Sequence, residues 1–359
     1  MTKRQEIIGA IKQEICQKTY AASGKLPSER ELCERFAASR GTVRAALDDL
    51  CRAGLIERRN GLGSYLTERG RRKNSTIGLL IPDYEYFTFF AALKNELSRL
   101  SENAGYSLRI STWAEGSGRK SAAQLRRMAR TLAVARVEGV IFRPCLDPKL
   151  ADANREAARI FRNAQTPLVL LDADIAEAPD RSDCDIVSVN NVNAARQLAR
   201  HLLARGRRRF AFVTDAKLSH RNGNWSARLF GLAGELALGG IDEGVRTLTL
   251  DPRDRAAVRR TLGGKSRPDA IVCGNDEIAV ALIETLAALG LRVPDDISVA
   301  GFDDLPCASA SAPPLTTVRQ PTRQIAAAAL KAIFQRIRQP AGAPREICLP
   351  TPLVVRQST

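Results

Sequence analysis

The hydrophobic positions of this chain change their period near residue 75. Before that point they recur every three or four residues. Ile7, Ile8, Ile11 and Ile15 form one stripe, so residues 4–17 predict an amphipathic helix. Ser28 followed by Glu31 is a capping box, and it opens a short helix with Leu32 and Phe36 on its inner face. Ser39 is a second N-cap. The helix behind it runs to about Ala53, where Gly54 stops it. Val43, Leu47 and Leu50 form its buried stripe, while Arg40 and Arg44 lie four apart on another face with Thr42 near the helix start. Two helices so close in sequence predict a helix-turn-helix. Residues 55–58 and 64–66 then predict two strands around Asn60-Gly61, a strong tight-turn pair, with Arg58 and Arg59 leading into the hairpin. Three helices followed by a hairpin is the order of a winged helix.

From Thr76 the pattern becomes short apolar runs alternating with helical stretches. The runs fall at 77–81, 108–111, 139–142, 168–171, 186–189, 210–213, 245–250, 270–273, 297–302 and 316–318. Helical periodicity occupies 90–103, 192–205, 276–289 and 322–338, among others. Such βα repetition predicts parallel sheets covered on both faces, and this many strands predicts two lobes rather than one sheet. The stretch between the two parts, 69–75, is basic, polar and aperiodic, and reads as a linker.

In doubly wound sheets ligands bind beyond the carboxyl ends of the strands. Asp172, Asn275, Asp276, Asp303 and Asp304 directly follow apolar runs, Gln320 follows closely, and Arg228 lies at a helix start further on. Carboxylates, amides and one Arg match a polyol: the carboxylates accept from hydroxyls, Arg donates, and Asn or Gln does both. Phe87, Trp113 and Phe302 are candidates to cover the apolar face of a sugar ring. Asn275 and Asp303 equally suit helix-cap and turn roles.

Charge sharpens the reading of the first part. The chain of 359 residues has a formal net charge of +16, and residues 1–73 hold 16 Lys/Arg against 9 Asp/Glu. That density near the N-terminus points to an anionic partner, nucleic acid first. Of the eight cysteines none forms a C-x-x-C pair, which argues against a zinc site or a disulfide framework and for buried thiols in a reducing cytoplasm. No run of about 18 apolar residues is present and the first residues are amphipathic, so neither a membrane span nor a secretion signal is expected. No cofactor motif is found. Gly263-Gly264-Lys265-Ser266 resembles the end of a phosphate-binding loop, but Arg259 stands where its first glycine is required.

The stretches LPSERELCERF, SRGTVRAALDDL and AGLIERRNGLGSYL resemble the GntR family over about 65 residues. The resemblance implies DNA contacts at Arg30, Arg40, Thr42, Arg44 and the wing-tip Gly61, with Arg58 and Arg59 of the hairpin beside them. The stretches CGNDEIAVALIETLAALGLRVPDDISVAGFDDLP, PPLTTVRQP and WSARLFGL resemble the LacI/GalR sensors and the related periplasmic sugar-binding fold, over about 76–357. That resemblance implies effector contacts at Asp172, Arg228, Asn275, Asp303 and Gln320, with Phe87 a looser match.

The fold class expected is therefore multidomain: an N-terminal winged helix-turn-helix (1–68), a linker (69–75) and a two-lobed α/β sensor of the type I periplasmic-binding-protein kind (76–359). The resemblance implies three crossings between lobes, giving lobe 1 as 76–188 and 319–346 and lobe 2 as 189–317 and 347–359. Asn190-Asn191 departs from the Asp-Asn that the sensor family often shows. The pairing of a GntR reader with a LacI sensor resembles arabinose-responsive repressors.

The function expected is a cytoplasmic transcriptional regulator, a homodimer reading an inverted-repeat DNA operator, whose affinity is set by a sugar bound between the lobes. A purine or another metabolite, or a sensor used only for dimerisation, is the alternative. An enzyme is disfavoured because His201 and His220 are the only histidines and neither sits in a nucleophile or metal motif. A transport-type binding protein is disfavoured by the DNA-reading head.

Overall fold

A computed structural model describes residues 2–16, 19–20, 23–59, 61–67, 75–82, 88–113, 121–177, 180–215, 223–241, 243–262 and 267–359. Asn60, Phe87, His220 and nearly all of the linker therefore lie outside the described residues, as do Gly263 to Ser266.

The head is built as its periodicity predicts. Helices α1 (Lys3–Cys16), α2 (Glu29–Phe36) and α3 (Arg40–Arg52) precede strands β1 (Ile56–Arg59) and β2 (Gly63–Leu66). Ser28 and Glu31 form the reciprocal capping box at α2, and Ser39 accepts from the Thr42 N–H at the start of α3. Ile7, Ile11, Leu32, Phe36, Val43, Leu47 and Leu50 close one small core with Leu55, Ile56 and Leu66 of the wing. Because β1 and β2 pair in antiparallel register, Arg58 opposite Ser64 and Arg59 opposite Gly63, the two arginines point to opposite faces of the wing.

The sensor has two six-stranded sheets. Lobe 1 holds β3 (Thr76–Leu80), α4 (Thr88–Asn103), β4 (Ser107–Ser111), α5 (Ala122–Val134), β5 (Gly139–Phe142), α6 (Ala151–Asn163), β6 (Leu168–Leu171) and β7 (Asp185–Val189). Lobe 2 holds α7 (Asn191–Ala204), β8 (Phe210–Asp215), α8 (Gly223–Leu238), β9 (Val245–Leu250), α9 (Arg255–Leu262), β10 (Ala270–Cys273), α10 (Asp276–Ala288), β11 (Ser298–Asp303), α11 (Pro306–Ala310) and β12 (Thr316–Arg319). The chain then returns to lobe 1 with α12 (Thr322–Arg338) and β13 (Glu346–Leu349), and ends in lobe 2 with β14 (Leu353–Val354). The sheet orders are β13-β7-β6-β5-β3-β4 and β14-β12-β11-β10-β8-β9. All pairs within them are parallel except β12 with β14.

Both faces of each sheet are covered. In lobe 1, α4 and α12 pack on one side with Leu93, Leu97, Ala329 and Ile333, and α5 and α6 on the other with Leu125, Ala129 and Phe161. The third crossing falls later than expected. Residues 346–349 pair with β7 inside lobe 1, so the chain leaves that lobe after Leu349 rather than near 346. This strand has no apolar run to mark it: it lies at a sheet edge and alternates exposed with half-buried positions. At the base of lobe 1 the buried Asp185 bonds both Arg336 of α12 (2.5 Å) and Arg345 ahead of β13 (2.7 Å), tying both returning elements to β7. No helix among the described residues is long and apolar enough to cross a membrane. Cys145, Cys184 and Cys273 are buried free thiols, but Cys348 on the edge strand β13 is exposed, against the expectation of burial throughout.

Candidate functional site

The parallel sheets place the carboxyl ends of their strands around one cleft between the lobes. A small cavity of about 30 Å³ there is lined by Phe89, Phe90, Arg143, Asp172, Asn224, Trp225, Arg228, Asn275, Asp303 and Gln320. Five residues singled out from sequence, Asp172, Arg228, Asn275, Asp303 and Gln320, are thus brought together. Trp113 is not: it packs in the lobe 1 core with Leu80 and Phe142. Phe302 is fully buried with its ring 3.4 Å beneath the Arg228 guanidinium, so it supports that side chain from below.

Arg228 is the most constrained of the set. Its Nε donates to Asn191 Oδ1 (2.9 Å) and its Nη1 to the Gly274 carbonyl (2.6 Å). Asn191 thereby acquires a role that sequence left open, and Asn190 caps α7 by accepting from the Asn193 N–H. Arg228 is 5% exposed and forms no ion pair within 4.0 Å among the described residues. Burial pulls its guanidinium down from the ordinary arginine value, while the more distant Asp303 and Asp172 oppose that shift. Its remaining N–H groups border the cavity.

Asn275 satisfies both readings considered for it. Its Oδ1 caps α10 by accepting from the Ile278 N–H (2.9 Å), which fixes the amide's orientation. Its Nδ2 is buried without a hydrogen-bond partner among the described residues. A buried unsatisfied donor costs about 1–3 kcal/mol, a cost that a ligand acceptor in the cavity would remove. Asp303 accepts from Gln320 Nε2 (2.7 Å). Burial pushes its carboxyl well above the usual carboxylate range, although Arg228 pulls the other way. Asp172 (φ 70°), Asp303 (φ 119°) and Asp304 (φ 57°) all have left-handed backbones, a strain that clusters where a fold must aim side chains at a ligand.

The sequence reading missed Trp225, Phe89, Phe90 and Arg143. Trp225 is three residues before Arg228 and so shares its helix face, a spacing that was available as a signal. It packs across Gly274, where an added Cβ would meet the indole at 3.0 Å. Arg143 directly follows β5, is 2% exposed, lies over the Phe90 ring (4.7 Å) and has its Nε 3.6 Å from Asp172 Oδ2.

The head presents a second set. Arg30 and Arg40 are exposed, and Arg30 lies 3.4 Å from Glu34. Arg44 of α3 and Arg58 of the wing both contact Glu29, at 3.2 and 3.3 Å, and Arg58 also contacts Asp48 at 3.1 Å. Exposed pairs of this kind are worth about 0–1 kcal/mol, so exchanging them for phosphate or base contacts is cheap. Arg59 turns to the opposite face, over the Tyr65 ring and beside Glu57. Gly61 has φ 71° with nothing near its missing Cβ, which leaves the wing tip open to close approach.

A helix-turn-helix head with a wing, joined to two doubly wound lobes around a polar cleft, defines the class: a DNA-binding regulator with a small-molecule sensor. Residues 3–66 match the gntR family of bacterial regulatory proteins, and residues 199–359 match the periplasmic binding protein-like domain. The chain is similar to the arabinose metabolism transcriptional repressor of Geobacillus stearothermophilus, 29% identical over 92% of this chain and 90% of that one. It is also similar to the protein of that name from Halalkalibacterium halodurans, 26% identical over 100% of this chain and 96% of the other. Among solved structures, a complex of the transcriptional regulator CelR with cellobiose covers the whole chain at TM-score 0.67 and 20% identity, and so shares its fold.

Proposed function

We propose that this chain is a cytoplasmic transcriptional repressor whose affinity for an operator is set by a sugar held between the sensor lobes. The observation that carries the reading is the pairing, in one buried cavity, of the unpartnered Asn275 amide with the free edge of Arg228, opposite Asp172 and Asp303. Donors and acceptors converge there within reach of the Trp225 and Phe89 rings, which is the chemistry a polyol with one apolar face requires. The relatives' name, arabinose metabolism transcriptional repressor, supports a sugar. In the head, Arg30, Arg40, Thr42 and Arg44 would contact the major groove, with Arg58 and Gly61 at the wing. A homodimer on an inverted repeat is the arrangement that two-fold symmetry favours. No catalytic role is assigned. His201 bonds the Thr359 hydroxyl (2.8 Å), and among the described residues no three His, Cys, Asp or Glu gather as a metal site.

The test is a gel-shift titration with a sugar panel, alongside two variants. Arg44→Ala should cost about 1–3 kcal/mol of operator binding and leave ligand-induced thermal stabilisation intact. Arg228→Ala should do the reverse, keeping the operator and losing the response to sugar. A protein that binds a sugar yet shows no change in operator affinity would defeat the proposal.

A further inference from the structure

The outward face of α8 in lobe 2 is not built for water. Trp225, Arg228, Leu232, Glu235 and Leu236 are buried on its inner side. Its exposed positions are Ser226, Phe230, Gly234, Ala237 and Leu238, and its two charged residues, Arg228 and Glu235, both lie among the buried ones. A surface helix puts charge on its solvent side, and a helix that is apolar all round is covered on every side. The packing neighbour α7 follows that rule, with Arg200 exposed. Phe230 is 72% exposed and Leu238 75%. The other large apolar side chains exposed among the described residues, Leu62, Ile110, Val134 and Val355, stand one to a segment, which is ordinary for a surface.

Gly234 is an independent observation. Glycine is the poorest helix former after proline, yet it stands here inside a helix. Gly231 has an internal reason, since an added Cβ would stand 2.2 Å from the Val192 carbonyl, but at Gly234 an added Cβ would meet nothing within 4 Å. Gly234 is also a midpoint, four residues after Phe230 and four before Leu238, so the three form one row along the helix. Such a row is its own complement. When two copies of α8 cross antiparallel with Gly234 at the two-fold axis, Phe230 of each meets the partner's Leu238, and the missing Cβ lets the backbones approach closely.

Size decides what this face can hold. One such helix pair takes on the order of 500 Å² out of water, less than half of the roughly 1,200 Å² that a stable interface between two free chains buries. A homodimer carries two such faces, so two dimers can form the contact twice and approach that area. Resting on the reading of the protein as a homodimer, we propose that the outer face of α8 is a second self-association surface, which joins two dimers into a tetramer through α8 helices crossing at Gly234.

The experiment is sedimentation velocity on the full chain from nanomolar to high micromolar concentration. We expect a dimer that passes to a tetramer as concentration rises. Phe230→Asp, at an exposed position where folding is little affected, should raise the concentration for half-assembly of the tetramer at least about tenfold and leave the dimer intact. Gly234→Cys should cross-link to its own copy under mild oxidation, in a product absent from the wild type. Ser226→Cys, exposed on the same helix but two turns from the axis, should give no such product. If the wild type stays dimeric at every concentration, or if Phe230→Asp assembles as the wild type does, this proposal falls while the homodimer reading stands. If Phe230→Asp is a monomer, α8 holds the dimer itself and the joining of dimers falls. If the wild type is monomeric throughout, both readings fall.

Discussion

At the scale of single residues, the cleft is a place where the fold accepts instability for binding. Asp303 is buried, has a left-handed backbone and meets Arg228 only at a distance. Burial raises its folded pKa above the unfolded value of about 3.9, so the folded state holds the proton more tightly. By linkage, stability then falls as pH rises from the unfolded value toward the raised folded one. Asp303→Asn cannot titrate, and asparagine tolerates this backbone almost as well. The variant should therefore gain on the order of 1–3 kcal/mol over the wild type at pH 8, and little near pH 4, while losing sugar affinity. Thermal melts of both proteins across that range decide it; parallel curves would show that Asp303 is ionised at no cost. The strand-end rule reached Asp303, Asn275 and Asp172 from sequence because each directly follows an apolar run. The same rule also reaches Arg143, directly after 139–142, although that residue was not among the expected ones. What no local pattern conveys is that Asn275 would cap its helix with one atom and leave the other free.

At the scale of elements, apolar periodicity was enough to locate ten strands of the sensor and the helices of the head, most of which bury a stripe or a continuous run, although β4 and β9 lie at sheet edges. It failed for β13, whose alternation is that of an edge strand with one poor face. Charge holds that strand in place instead: Asp185 lies between Arg336 and Arg345. Burial alone would raise this carboxyl, yet the hydrogen bonds from the two arginines outweigh it and hold it below its ordinary range. A depressed folded pKa gives stability that is present above the unfolded value and lost as pH falls toward the folded one. Arg336→Met should thus cost about 2–4 kcal/mol at neutral pH, by leaving a buried carboxylate half-paired. It should also flatten the wild type's loss of stability below about pH 4. A second element contact tests lobe 2. At Gly231 of α8 an added Cβ would stand 2.2 Å from the Val192 carbonyl of α7. Gly231→Ala therefore forces the two helices apart and is expected to cost more than about 2 kcal/mol in denaturant unfolding. A variant as stable as the wild type would mean that the α7–α8 contact yields freely.

At the scale of the whole molecule, the question is how a ligand in the cleft reaches the head. A hydrogen bond crosses between the lobes here: Thr88 Oγ1 of α4 in lobe 1 donates to Glu277 Oε1 of α10 in lobe 2, at 2.6 Å. Beside it Leu305, which follows β11 of lobe 2, is buried in the lobe 1 core with Phe89 and Ile325. Contacts that cross from lobe to lobe add to whatever the ligand contributes on closing and are lost when the lobes part. If closure is what alters operator binding, effector and DNA must influence each other equally. The factor by which the effector weakens DNA binding, typically about 5–150, is also the factor by which operator DNA weakens effector binding. Thr88→Val removes the crossing hydrogen bond without touching a cavity-lining group. It should weaken effector binding a few-fold, because the closed state it stabilises becomes less populated. In the absence of effector it should leave operator affinity unchanged or slightly raised. Titrating effector into free and operator-bound protein, wild type and Thr88→Val, gives all four affinities of the cycle. Equal effector affinity in wild type and variant would place the lobe-closing contacts elsewhere, on Leu305 and its apolar neighbours rather than on the Thr88–Glu277 bond.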